Sequence, residues 1–140
     1  MIPNVLIDTD VMLDIFLDQE PHNGPSKAVV ALLGRKRFCG HITATIVINI
    51  FYHVRKHLGK NNAFQCVRDL LHMKEIEIHA IDKTTLLVAL DSGMTDFEDA
   101  IQAVAAQFAG IDMIVTRNIR DFRNAPIPAL TPEEFLQKIE

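Results

Sequence analysis

Four acidic residues stand where a carboxylate could do more than solvate a surface. Asp8 ends the apolar run Val5-Leu6-Ile7. A continuous apolar run marks a buried central strand of a parallel sheet, and ligands bind beyond the carboxyl ends of such strands. A charge there is costly unless it has a partner. Asp96 and Asp99 lie in Thr95-Asp96-Phe97-Glu98-Asp99-Ala100-Ile101. On a helix they share one edge of the apolar stripe Phe97, Ala100, Ile101, Val104 and Phe108, while Glu98 falls on the opposite edge with Gln102, toward solvent. Asp121 closes Ile114-Val115-Thr116-Arg117-Asn118-Ile119-Arg120-Asp121, a second apolar run that ends in polar groups. Thr116, Asn118 and Asp121 would complete an oxygen-rich pocket around Asp8 and Asp99. Such a set suits Mg²⁺ or Mn²⁺, which take few carboxylates plus waters. Plainer roles compete: Asp8 as a helix cap, the acidic pair as helix-start residues, Thr116 and Asn118 as turn formers.

A pocket of this kind needs separated stretches brought to one edge, and the rest of the chain alternates accordingly. After the first strand, Val11–Leu17 reads as a short helix, followed by a loop holding Pro21, Gly24 and Pro25. Ser26–Gly34 has helical apolar spacing, and Cys39–Thr43 is a second strand. From Thr45 onward Ile46, Val47, Ile50, Phe51, Val54 and Leu58 form one stripe, which Gly59 ends. Asn62–Met73 is a further amphipathic helix, Ile76–Ile78 a third strand, Lys83–Leu90 and Asp96–Phe108 helices, and Met113–Val115 a fourth strand. Ile127–Leu130 reads as a short edge strand. Thr131 as cap, Pro132 at the first helical position and Glu134 three residues past the cap start a terminal helix. Strands alternating with helices imply a parallel sheet covered on both faces. The expectation is a three-layer α/β/α sandwich, one domain over residues 1–140.

Composition narrows the class. Apolar residues make up 49% of the chain and charged residues 23%, ordinary for a globular protein. No apolar run approaches the roughly 18 residues of a membrane span, and no charged segment leads into a signal-type apolar stretch; a cytoplasmic protein is expected. Cys39 and Cys66 have no metal-ligand spacing and are read as reduced, partly buried thiols. There is no Cys-x-x-Cys, and no histidine pair is read as a zinc site. A net charge of −4 argues against attraction of nucleic acid to the whole surface, though not against a local basic groove.

Ile7-Asp8-Thr9-Asp10-Val11, Asp96-Phe97-Glu98-Asp99-Ala100, and Thr116-Arg117-Asn118 with Asp121-Phe122 together resemble a PIN domain. They are most similar to the VapC-like toxins of prokaryotic toxin–antitoxin pairs, in order and spacing from Val5 to Phe135. The resemblance implies a five-stranded parallel sheet and a metal-dependent ribonuclease site of carboxylates at its C-terminal edge. Asp8 matches the first acidic position and Asp99 the third. Asn118 falls where Asp is frequent and Asn occurs, with Asp121 just beyond. A homodimer and a small antitoxin segment lying across the acidic pocket are implied as well. Phe16, Leu17 and the Asn62–Met73 helix are candidate contact surfaces for those partners.

One position departs from that pattern. The second acidic residue, a Glu in the helix after the second strand, is replaced by Asn49, which shares a polar flank with His53 and Lys56. An amide offers an oxygen but neither charge nor a proton acceptor. Ion binding is therefore expected to need about millimolar Mg²⁺ or Mn²⁺, and Asn49→Glu to tighten it. RNA would need cations beside the acids, with Arg117, Arg120 and Lys56 as candidates. Two alternatives stay open: a catalytically silent PIN-like binding module, and a phosphatase of the haloacid dehalogenase type. For the latter, Met12 stands where Thr or Val is expected and no partner Lys motif is evident.

Overall fold

The computed structural model describes residues 2–139; Met1 and Glu140, the ends of the expected domain, lie outside them. Its centre is a parallel sheet of β1 (Asn4–Ile7), β2 (Cys39–Thr43), β3 (Ile76–His79), β4 (Met113–Val115) and β5 (Ala129–Leu130), in the order β3-β2-β1-β4-β5. Each strand is short and rich in β-branched or apolar residues, and Val5, Leu6, Ile7, Ile42, Ile114 and Val115 are fully buried. Burial from both sides explains why β1 and β4 read as unbroken apolar runs rather than alternating ones.

Helices α1 (Thr9–Phe16), α2 (Asn23–Gly34), α3 (Ala44–Leu58), α4 (Lys60–Leu71), α5 (Lys83–Leu90), α6 (Phe97–Phe108) and α7 (Pro132–Ile139) flank the sheet. Successive strand residues point to opposite faces. A Cβ at Gly40 would press on Leu33 of α2, while Thr43 hydrogen-bonds Gln102 of α6. Positions 40 and 43 have opposite parity, so α2 and α6 cover opposite faces. Helix α1 packs on α2 and α3, α3 on α4 and α2 on α7, whereas α5 packs on α6. The α/β sandwich expected from the alternation of elements is the architecture found.

Local signals fixed most boundaries. Thr131 and Glu134 exchange reciprocal bonds at the start of α7, Glu134 N–H to Thr131 Oγ1 (3.1 Å) and Thr131 N–H to Glu134 Oε1 (2.9 Å). Gly59, with φ +87°, ends α3 in a conformation that a side chain resists. Helix α2 begins three residues earlier than its apolar spacing suggests, at Asn23, with Pro25 inside the first turn where its missing N–H costs nothing. Cys39 and Cys66 are free and half-buried.

The α6 stripe differs from expectation. Seven consecutive residues, Ala100 to Ala106, are buried, while Phe97 and Phe108 are 46% and 54% exposed. Alanines at 100, 103, 105 and 106 let the helix sink against the sheet, so its contact face is wide and centred on small residues. Gln102, expected in solvent, is 1% exposed, and its Oε1 accepts a hydrogen bond from the Thr43 hydroxyl. Thr43 Oγ1 in turn accepts from Ile46 N–H (3.2 Å) and caps α3, the helix that carries Asn49.

Candidate active site

Two neighbouring strand ends make the floor of the site. β1 and β4 pair in register up to Ile7 and Val115, and Asp8 prolongs the ladder by donating its N–H to Val115 O (3.0 Å). Chain order reverses here: β2 lies on one side of β1 and β4 on the other. In an open parallel sheet this switch point leaves a crevice outside the carboxyl ends. Asp8 is 8% exposed. Its Oδ1 accepts from Thr9 N–H (2.8 Å), capping α1, and its Oδ2 accepts from the buried Thr116 hydroxyl (2.8 Å). Capping and pocket placement, rivals in the sequence, are both properties of this one carboxylate.

Asp10, singled out in the sequence only as part of the Ile7-Asp8-Thr9-Asp10-Val11 stretch, also belongs to the site. Its Oδ2 accepts from Arg117 N–H (3.0 Å), Asn118 Nδ2 (3.2 Å) and the Thr116 hydroxyl (3.3 Å), tying the turn after β4 to the first turn of α1. Its Oδ1 is buried and, among the described residues, has no hydrogen-bond partner. The signal was the Asp8-Thr9-Asp10 triplet itself, because a helix beginning at a strand end aims its first turn at the crevice.

A pocket of about 250 Å³ is lined by Asp8, Thr9, Asp10, Leu13, Asn49, His53, Glu98, Asp99 and Asn118. Asp8 and Asp99 thus share one solvent-accessible pocket. Glu98, expected to face solvent, lines it too and accepts a hydrogen bond from the Asn49 amide. Asp96 is exposed and absent from the lining; its carboxylate caps α6 by accepting Asp99 N–H (2.8 Å). Asp121 sits in a short 3₁₀ turn, Ile119–Phe122, close enough for its charge to act on Asp99. The larger neighbouring cleft, about 990 Å³, is lined by residues 117–123 and 125–129. Asn118 borders both cavities.

The cationic candidates separate. Arg120 is exposed beside the larger cleft, and Lys56 is exposed in the last turn of α3, outside the pocket lining. Arg117 is engaged elsewhere: its Nε donates to Asp14 Oδ2 (2.9 Å), and the Asp14 side chain is wholly buried.

Electrostatically the pocket carries unbalanced negative charge. Burial, and then the charges of Asp10 and Glu98, push the Asp8 pKa up to about 7 against the opposing bonds from Thr116 and Thr9. Asp99 is also raised to about 7, first by burial and then by Asp8, Asp96, Asp121 and Glu98. Asp10 is raised by burial, opposed by its bonds to the Arg117 N–H and by the Arg117 charge. A cluster of oxygen donors that hold each other's protons is what a divalent cation relieves. Among the described residues no three of these carboxylates converge tightly enough to enclose an ion. Mg²⁺ does not require that, since it keeps several waters and takes one or two carboxylates. Asp8 and Asp99 supply the one or two carboxylates that such an ion takes, and so fit it.

A single parallel sheet with acidic residues at its switch point is the design of the PIN domain, and the sequence profile of that family matches residues 4–120. The chain belongs to the PIN domain family. It is 26% identical over 137 residues to ribonuclease VapC1 of Aquifex aeolicus, covering 96% of this chain and 94% of that one. In fold it is similar to VapBC2 of Rickettsia felis bound to a promoter DNA fragment, with a TM-score of 0.70, 16% identity, and coverage of 94% and 98%. It is also similar to VapC20 of Mycobacterium tuberculosis, a toxin that cleaves the sarcin–ricin loop, with a TM-score of 0.66, 13% identity, and coverage of 79% and 86%.

Proposed function

We propose that this protein is a VapC-like, Mg²⁺- or Mn²⁺-dependent endoribonuclease, the toxin of a toxin–antitoxin pair. The observation that carries the proposal is the meeting of Asp8 and Asp99 in one open, negatively charged pocket at the switch point of the sheet. The full-length likeness to a VapC ribonuclease supports it. A bound divalent ion would supply a water of lowered pKa and positive charge for the phosphoryl oxygens. Asp8 and Asp99 would hold the ion, with Thr116 fixing the orientation of the Asp8 carboxylate. Asn118, at the border of the two cavities, would guide the sugar–phosphate chain from the larger cleft toward the carboxylates. Arg120 and Lys56 would neutralise flanking phosphates, while Arg117, held by Asp14, acts through the fold.

Glu98 is assigned a further part. It reaches the Asn49 amide, so the charge missing from the second acidic position is returned by the neighbouring helix. Glu98→Gln is then expected to weaken Mg²⁺ binding about tenfold, the usual scale for a group supporting a metal ligand. Asn49→Glu alone sets two carboxylates against each other and lowers metal-free stability. The exchange Asn49→Glu with Glu98→Gln keeps the charge and is expected to keep affinity within about threefold of wild type, less than the tenfold loss of the single variant. Calorimetric Mg²⁺ titration of the three variants checks this; unchanged affinity in Glu98→Gln would remove Glu98 from the site.

The neutral Asn49 favours a second reading, an RNA-binding module without turnover. Labelled RNA incubated with the protein, with Mg²⁺ or with chelator, separates the two. Cleavage only with the metal supports the ribonuclease; retained binding with no cleavage at any metal concentration supports the module. For assembly, the structures of VapBC2 and a Klebsiella pneumoniae toxin–antitoxin complex are among the fold relatives, and we propose an antitoxin and a second copy as partners. Phe16 and Leu17 pack partly on the core, which narrows the contact surface to the exposed Phe64 and Leu71 of α4.

A further inference from the structure

We infer that His41, Glu77 and His79 form a second metal site, for a transition ion of the zinc class, at the sheet edge and separate from the carboxylate pocket. In the parallel pairing of β2 and β3, His41 lies opposite Glu77 and Thr43 opposite His79. Residues two apart share a face, so the three side chains stand together on one side of the sheet. His41 Nδ1 is 2.8 Å from His79 Nε2 and 3.6 Å from Glu77 Oε2. The three ligand atoms all lie within 4.8 Å of one another, the one group of its kind among the described residues. Ligands on a tetrahedral ion with bonds near 2.0–2.1 Å stand roughly 3.3 Å apart, so small side-chain rotations close the set.

Hydrogen bonding behind the cluster favours the ligand role. His41 is 6% exposed, and its Nε2 is 2.9 Å from Asn4 Oδ1. An amide oxygen only accepts, so the proton sits on Nε2 and the Nδ1 lone pair faces the cluster. A ligating histidine is typically held this way, its second ring nitrogen donating to an oxygen. Without an ion, His79 Nε2–H donates to that lone pair. On binding, the ion takes the place of this proton and His79 carries its proton on Nδ1, with no net release. Two imidazoles and one carboxylate are a zinc-type set and a poor one for Mg²⁺, which prefers oxygen. Glu77, largely exposed, leaves a fourth position open to water. The ion would tie β3, the edge strand, to β2. Linear reading missed the set because its histidines are 38 residues apart and meet only through strand pairing.

The test is Zn²⁺ titration of the chelator-stripped full chain in excess Mg²⁺, read by a chromophoric competitor, with Co²⁺ absorption reporting geometry. We expect one equivalent bound at about micromolar affinity or tighter, a rise in melting temperature, and intense tetrahedral Co²⁺ bands. His79→Ala and Glu77→Gln, the latter conservative and exposed, should each weaken binding at least tenfold, and Asn4→Ala about tenfold. His53 and His57, exposed one turn apart on α3, are the rival locus, so their double Ala variant should bind as wild type, as should Asp8→Asn. The inference is overturned by no binding below about 10 µM, or by binding that disappears with His53 and His57 or with Asp8 instead.

Discussion

Truncating Arg117 to Ala is expected to cost about 3 kcal/mol of stability, the low end for breaking a buried ion pair. Asp14 is the reason. Its side chain is wholly buried, one oxygen accepts from Arg117 Nε (2.9 Å) and Ser26 Oγ (3.0 Å), and the other has no partner among the described residues. Without Arg117 a carboxylate stays inside with one neutral donor. The Arg117 side chain is 30% exposed, so water can reach part of the gap, which keeps the loss from the upper end of that range. Adding Asp14→Asn removes the stranded charge, keeps an acceptor for Ser26, and should recover more than half of the loss. Urea unfolding of the single and double variants checks this. A loss below about 1 kcal/mol would class the pair with exposed salt bridges and return Arg117 to the RNA-binding candidates.

Asp8→Asn should stabilise the metal-free protein at pH 8 while destroying its response to metal. The sign follows from protonation. Asp8 and Asp99 have folded-state pKa values near 7 against an ordinary 3.8. The folded state therefore binds more protons between those values, and stability falls as pH rises. The contribution is full below about pH 3.8 and is lost as pH climbs through about 7. Removing one charge relieves this, by on the order of 2 kcal/mol at pH 8. An amide at position 8 can still accept from Thr9 N–H and donate to Thr116 Oγ1, so the local bonds survive. In wild type, Mg²⁺ should raise the melting temperature at pH 8 and flatten the pH dependence; in Asp8→Asn it should do neither. A variant less stable than wild type at pH 8 without metal would show that the carboxylate is not strained by its surroundings.

The sheet was legible because its strands are buried on both faces, so Val5–Ile7 and Met113–Val115 stand out as apolar runs with polar ends. Caps at Thr131 and stops at Gly59 are local chemistry, readable within a few residues. Asp8 and Asp99 were legible for the same reason, since a strand end and a helix start both mark the carboxyl edge. What depended on packing depth was not. The alanines of α6 bring that helix close to the sheet, burying Gln102 and leaving Phe97 and Phe108 in solvent, contrary to their hydropathy. The position of Glu98 against Asn49 depends on how α3 and α6 converge, which neither segment encodes alone. Arg117 looked like an RNA contact because its buried partner, Asp14, lies 103 residues away.

The most direct measurement is cleavage of a labelled RNA by wild type, Asp8→Asn and Asp99→Asn, each with Mg²⁺ and with chelator, scored beside their melting temperatures. The account predicts Mg²⁺-dependent cleavage by wild type alone, with both variants folded and at the metal-free background. Equal cleavage by wild type and either variant, or cleavage that persists in chelator, would contradict a metal-dependent ribonuclease built on these two carboxylates.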